Sequence, residues 1–151
     1  MRLSVTTPRG ALVEADVLEV IAPGAMGEFD VLPEHVPFLS ALHPGVLVYR
    51  TQEGTQTLAV GSGVLQVARQ PQTDKADKAD KADKADKVIV LVDQAMTAGE
   101  IDAAAAAKDL ATADGELAGW KKELDGEYQA LLARRAWAVA RVEAAGRAKA
   151  H

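Results

Sequence analysis

Apolar and polar residues alternate from the start of the chain. Leu3 and Val5 interleave with Arg2, Ser4 and Thr6, the period of two that marks a half-buried strand. Further strand-like runs follow at 11–13 and 16–22, with Pro23-Gly24 and Gly27 as punctuation. Glu53-Gly54 separates 46–51 from 55–60 as a hairpin turn does, and Gly61-Ser62-Gly63 leads into 64–68. Short strands joined by Gly and Pro turns predict a sandwich or a flattened barrel. From Thr97 the period changes. Thr97-Ala98-Gly99-Glu100 has the form of a capping box, and 101–113 is rich in alanine, the strongest helix former. Asp114-Gly115 is a plausible stop. A second helix is then expected to about Ala145, with Leu117, Trp120, Leu124, Tyr128, Leu131, Ala138, Val142 and Ala145 on its apolar stripe.

Between the two textures, residues 74–87 hold four Asp-Lys-Ala units and a closing Asp86-Lys87. Pairs such as Asp74–Lys78 and Asp83–Lys87 each favour helix by about 0.2–0.5 kcal/mol. Nucleating a helix costs on the order of 4 kcal/mol, so a fraying helix or a mobile loop is expected. The strand pattern resumes at 88–92, Val-Ile-Val-Leu-Val. The repeat therefore reads as an insertion in a hairpin, a lengthening whose closure entropy is only about 1–2 kcal/mol. This gives a β domain over 1–95, with 74–87 inserted, and a helical hairpin over 96–151. The first helix offers few apolar side chains beyond Ile101, Leu110 and alanines, whereas a buried Leu contributes roughly 1.5–3 kcal/mol. The hairpin is expected to be weakly held.

Composition narrows the chemistry. A formal charge of −5 disfavours nucleic acid, and the absence of cysteine rules out disulfides and thiolate metal sites. The N-terminal MRLSVTTPRG has one Arg and no apolar run, so no signal peptide is expected. No stretch approaches the ~20 apolar residues of a membrane span. Catalysis needs a nucleophile beside a base and an orienting acid. His35 and His43 lie in a Pro-rich loop, and neither Ser40 nor Ser62 sits in a nucleophile motif. Gly61-Ser62-Gly63 lacks the lysine of a phosphate loop. Asp16 and Glu19 fall on opposite faces of the strand they are assigned to. No catalytic residue, metal or cofactor is expected.

The run from Gly27 to Gly45, GEFDVLPEHVPFLSALHPG, strongly resembles the G-E-x-x-[IV]-x-P-x-H-x-P-[LF]-[LIV] loop and K/H-P-G turn of the epsilon subunits of bacterial F-type ATP synthases. The likeness extends over the β region to about Ala95 and continues as pattern in the Ala-rich hairpin from Ile101-Asp102. The Asp-Lys-Ala repeat lies outside it.

That resemblance implies a ten-stranded β-sandwich followed by two antiparallel helices. It implies a non-catalytic rotor subunit of the central stalk, beside the gamma subunit and on the ring of c subunits, coupling proton-driven rotation to ATP synthesis. Glu28, His35, Pro37 and Leu39 would face the c-ring; Leu42, Pro44, Gly45, Val64 and Leu65 would face gamma. A Pro-dense loop is stiff and loses little entropy on docking; the plainer reading, preferred for Val31 and Val36, is that it closes one end of the sandwich. In many relatives the hairpin extends into the catalytic alpha/beta hexamer and inhibits ATP hydrolysis, which would fall here to Arg134, Arg135 and Arg141. Relatives that bind ATP carry I/L-D-x-x-R-A at the first helix; here Ala105 replaces the arginine, and without guanidinium donors no nucleotide site is expected. The expected location is peripheral, on the cytoplasmic face of the bacterial inner membrane. A free-standing sandwich-and-hairpin adaptor is the alternative from composition alone.

Overall fold

The computed structural model describes residues 1–34, 36–69 and 86–150. Ten strands precede two helices: β1 (Arg2–Thr7), β2 (Gly10–Asp16), β3 (Glu19–Gly24), β4 (Gly27–Val31), β5 (Phe38–Leu42), β6 (Gly45–Thr51), β7 (Gly54–Val60), β8 (Gly63–Ala68), β9 (Lys87–Val92), β10 (Ala95–Thr97), α1 (Ala103–Ala118) and α2 (Gly126–Ala150). The strands hydrogen-bond in the order β10-β7-β6-β3-β5-β8-β9-β1-β2, with β4 also on β3. The path folds back on itself where β3 meets β5 at a single pair, Gly24 and Leu42. One layer is β10, β7, β6, β3 and β4; the other is β5, β8, β9, β1 and β2. This is the expected ten-stranded sandwich with two helices after it.

Alternation places the core between the layers. Val20, Val31, Leu47, Leu58 and Val60 come from the first layer and Leu3, Val5, Leu65, Val67, Val88 and Val90 from the second, all essentially inaccessible. Asp16 and Glu19 do not share a strand, since β2 ends at one and β3 begins at the other. Gly63 admits no side chain, because a Cβ there would collide with the Leu91 backbone. β8 and β9 pair from Gly63–Val92 to Ala68–Lys87, so the chain between them is inserted in a hairpin. Repeat residues 74–85, and the expectation about their conformation, lie outside the described residues.

The helices depart from expectation at both ends of the hairpin. Thr97 makes no side-chain cap, and Ala98–Glu100 forms a single 3-10 turn. Ile101 leaves helical geometry and packs against the first layer. Asp102 then becomes the N-cap, accepting from Ala105 N–H at 3.0 Å. β10 thus runs across the 95/96 division. Asp114-Gly115 is no turn: α1 passes through it to Ala118. A glycine in a helix costs only about 1 kcal/mol, and both Asp114 and Glu116 gain arginine partners on α2. The real turn is 119–125. There Asp125 Oδ1 accepts from Glu127 N–H at 3.0 Å, and Trp120 packs on Tyr128 with ring centroids 5.6 Å apart. Leu124 sits exposed in that turn rather than on an apolar stripe.

Candidate interaction surfaces

The sandwich has two outer faces, and the chain treats them differently. On the first layer, Ile21, Val46, Val48 and Ala59 point away from the core and meet Trp137, Ala140 and Ala144 of α2 and Ile101. Alanine methyls let the helix lie close to the sheet, at the expense of little apolar area. The other buried stripe of α2, Leu131, Ala138 and Ala145, lies on the side of Arg134 and Arg141, which meet α1.

Around this apolar patch lie charges. Glu28 Oε2 accepts from Arg147 Nη1 at 3.2 Å, tying the end of α2 to β4. Glu19 accepts from Arg50 Nε at 3.3 Å. Glu19 and Asp30 also share a hydrogen bond. It holds the Glu19 carboxyl below its ordinary range, with Arg50 adding to the effect. Desolvation first, and the Glu19 hydrogen bond second, push Asp30 up. Glu19, Ile21, Val48, Arg50, Thr55 and Arg147 line a cavity of about 260 Å³ under the end of α2.

On the second layer, the outer face carries no element of this chain among the described residues. Cross-strand register aligns Ala41 with Val64 and Val64 with Leu91. Leu39 lies beside this row, opposite Gln66. Leu39 is 67% exposed, Leu91 49% and Val64 37%. At one end of the sandwich the loop between β4 and β5 adds Leu32 and Val36, 49% and 72% exposed, with Pro37 also exposed.

The residues expected at partner surfaces separate accordingly. Pro37 and Leu39 are exposed near that loop, whereas Glu28 sits at the far end of β4, engaged by Arg147. His35 lies outside the described residues. Of the gamma-facing set, Val64 is on the uncovered face and Pro44 is half-buried at the corner between β5 and β6. Leu42 and Leu65 are core residues at 4% and 0% exposure, and Gly45 is buried against Pro23. These three have no side-chain surface to offer; alternation points the leucines inward. The residues beside Val64 on the open face are Leu91 and Ala41, legible in sequence only as the outward positions of β9 and β5.

Arg134, Arg135 and Arg141 are all occupied within the hairpin. Arg134 pairs with Glu116, Arg135 with Asp114 at 2.5 Å and Arg141 with Asp109 at 3.0 Å. The pairs step down one helix as they step up the other, so α1 neutralises the basic face of α2. Arg141 also lies over the Trp137 ring at 5.7 Å, and its Nε is buried without a hydrogen-bond partner. Ala105 presents only a methyl at the first turn of α1. Among the described residues no group of three His, Asp or Glu converges on a metal position, and no helix is long and apolar enough to cross a membrane.

The fold is a two-layer sandwich carrying a helical hairpin on one face, with the opposite face and the loop end apolar and open among the described residues. Residues 1–80 match the family described as ATP synthase, Delta/Epsilon chain, beta-sandwich domain. The ATP synthase epsilon chain of Anaeromyxobacter sp. (strain K) is 37% identical over 147 residues, spanning 97% of this chain and 98% of that one. Epsilon chain 2 of Syntrophotalea carbinolica is 34% identical over 150 residues, spanning 97% and 94%. The chain belongs to the ATP synthase epsilon-chain family. Its fold is similar to a chain of the Euglena gracilis mitochondrial ATP synthase, with TM-score 0.68 and 20% identity over 99% of this chain and 80% of that one. It is also similar to a chain of the Tetrahymena thermophila mitochondrial ATP synthase central stalk and c-ring, with TM-score 0.57 and 18% identity over 96% of each.

Proposed function

We propose that the chain is a non-catalytic rotor subunit of the central stalk of an F-type ATP synthase, held on gamma and on the c-ring so that ring rotation drives ATP synthesis. Membership of the epsilon-chain family supports this. The observation that carries it is the open apolar surface formed by Leu39, Ala41, Val64 and Leu91 with Leu32 and Val36 at the loop end. Val64, Leu91 and Ala41, with Pro44 at the corner, face gamma; Pro37, Leu39 and the loop face the ring. The subunit is peripheral, reaching the cytoplasmic face of the bacterial inner membrane only through these partners. Val64→Lys with Leu91→Lys tests the reading: binding to the gamma and c-ring assembly is expected to be lost while the fold is retained, and unchanged binding refutes it.

The hairpin is the regulatory part. In the compact form Arg134, Arg135 and Arg141 are paired with α1, so they reach the catalytic alpha/beta subunits only when the hairpin opens. Truncation after Asp114 removes α2 and the last turn of α1 and is expected to raise ATP hydrolysis by the complex; unchanged hydrolysis refutes inhibition. With Ala105 at the motif position, ATP does not hold the hairpin closed, and calorimetry is expected to detect no binding.

A further inference from the structure

Asp86 looks like one more unit of the Asp-Lys-Ala repeat, yet its surroundings set it apart. Its side chain is 11% exposed and lies 3.6 Å from the Arg69 guanidinium. Antiparallel register beyond Ala68–Lys87 puts Arg69 and Asp86 opposite each other at the base of the inserted segment. The second carboxylate oxygen, Oδ2, accepts from the backbone N–H of Glu34 at 2.7 Å, across a sequence separation of 52 residues. The Asp86 carbonyl accepts from Arg2 N–H at 2.9 Å. Glu34 has φ of 68°, left-handed backbone that a non-glycine residue keeps only when its surroundings hold it there. Asp86 supplies that hold: a carboxylate accepting a backbone N–H makes a short, charge-assisted bond.

We infer that Asp86 is the positioning residue of the loop between β4 and β5. It fixes the turn at Glu34 and thereby presents Leu32, Val36 and Pro37 as a surface for docking. The Arg69–Asp86 pair closes the hairpin below the insertion, so the end of the repeat is part of the docking apparatus. The inference rests on the ring-docking reading above.

The test separates the two. In the full-length chain, Asp86→Ala is expected to speed amide exchange at Glu34 by about tenfold or more, the loss typical of a hydrogen bond to a charged group. The amides of Val67 and Val90 serve as internal controls and stay protected. Affinity for a solubilised gamma and c-ring assembly is expected to fall by about tenfold. Asp83→Ala, the same change one unit earlier, is expected to alter neither quantity. Unchanged Glu34 exchange in Asp86→Ala, or an equal effect from Asp83→Ala, overturns the assignment to Asp86. Faster Glu34 exchange with unchanged docking overturns the link between the turn and docking; if Leu39→Ser also leaves docking unchanged, the ring-docking reading itself fails. Should Asp86→Ala expose the control amides, Arg69→Gln, which leaves the Asp86 carboxylate in place, gives the decision: weaker docking with intermediate Glu34 exchange supports the inference, and wild-type values overturn it.

Discussion

The two outer faces of the sandwich are built from similar strands and meet opposite fates. Over the first layer, Val46, Val48 and Ala59 are buried by Trp137, Ala140 and Ala144 of α2. Over the second, Leu39, Val64 and Leu91 stand in solvent. Strand sequence does not distinguish them, because β6 and β9 are both apolar runs, Val-Leu-Val and Val-Ile-Val-Leu-Val. Antiparallel sheets can leave one face to water, so an apolar run does not by itself say which outer face is covered. The chain covers one face itself and leaves the other open among the described residues. The self-cover is made largely of alanine and rimmed by half-exposed ion pairs.

The strongest way to break this contrast is to strip the covered face. Ala144→Asp buries a charge without a partner, which costs about 3 kcal/mol or more unless the helix leaves. The hairpin is expected to detach while the sandwich keeps its melting transition, seen as protease cleavage within α1 and α2 and fast exchange at Ala106 and Ala113. Cleavage confined to the termini would mean that the interface is stronger than its alanines imply.

The uncovered face predicts the reverse. Leu91→Lys is expected to change the stability of the isolated chain by about 0.5 kcal/mol or less, as surface substitutions do. Binding to gamma is expected to weaken about 10–100-fold, the range of an interface anchor. A large loss of stability with little change in binding would reverse the assignment of the two faces.

A smaller effect sharpens the covered side. The Arg147–Glu28 pair is half-exposed, so Arg147→Glu is expected to shift the closed hairpin by about 0.5–1 kcal/mol, less at high salt. Exchange at the α2 amides measured with and without salt reads this directly. The same charge reversal removes the partner that Glu28 has on α2.

The smallest effect concerns the acid pair beneath α2. Asp30 has a raised pKa in the fold, so its contribution is present at low pH and lost as pH rises through that value. Glu19, held low, contributes above its ordinary value of 4.5 and loses that as pH falls through its lowered pKa. The two oppose each other. Asp30→Asn keeps a hydrogen bond to Glu19 and removes the loss at higher pH, so it is expected to raise the melting temperature by about 1–2 °C at pH 7 and less at pH 4. A larger gain at pH 4 would contradict the assigned directions.

Much of the architecture was readable in the chain. Alternation located the strands, and the motif between Gly27 and Gly45 carried the resemblance to the family. Element ends were harder. Thr97–Glu100 has the residues of a capping box, yet Ile101 packs on the sheet and moves the cap to Asp102. Asp114-Gly115 has the residues of a turn, yet the arginines of α2 hold it helical. Both errors arise because local preferences of about 1 kcal/mol yield to contacts with residues distant in sequence.

The sequence by itself determined the short-strand texture, the helical hairpin and, through the Gly27–Gly45 motif, the family with its ten-stranded sandwich. These rest on short periods and local motifs, which the chain carries residue by residue. Only the tertiary structure decided which apolar face is covered, that Leu42 and Leu65 lie inside while Leu91 stands outside, that Arg134, Arg135 and Arg141 are neutralised within the hairpin, and that Asp86 grips Glu34. Each of these depends on which of two alternating faces, or which of several equivalent charges, meets a segment far along the chain, and periodicity assigns positions to faces without saying what lies opposite.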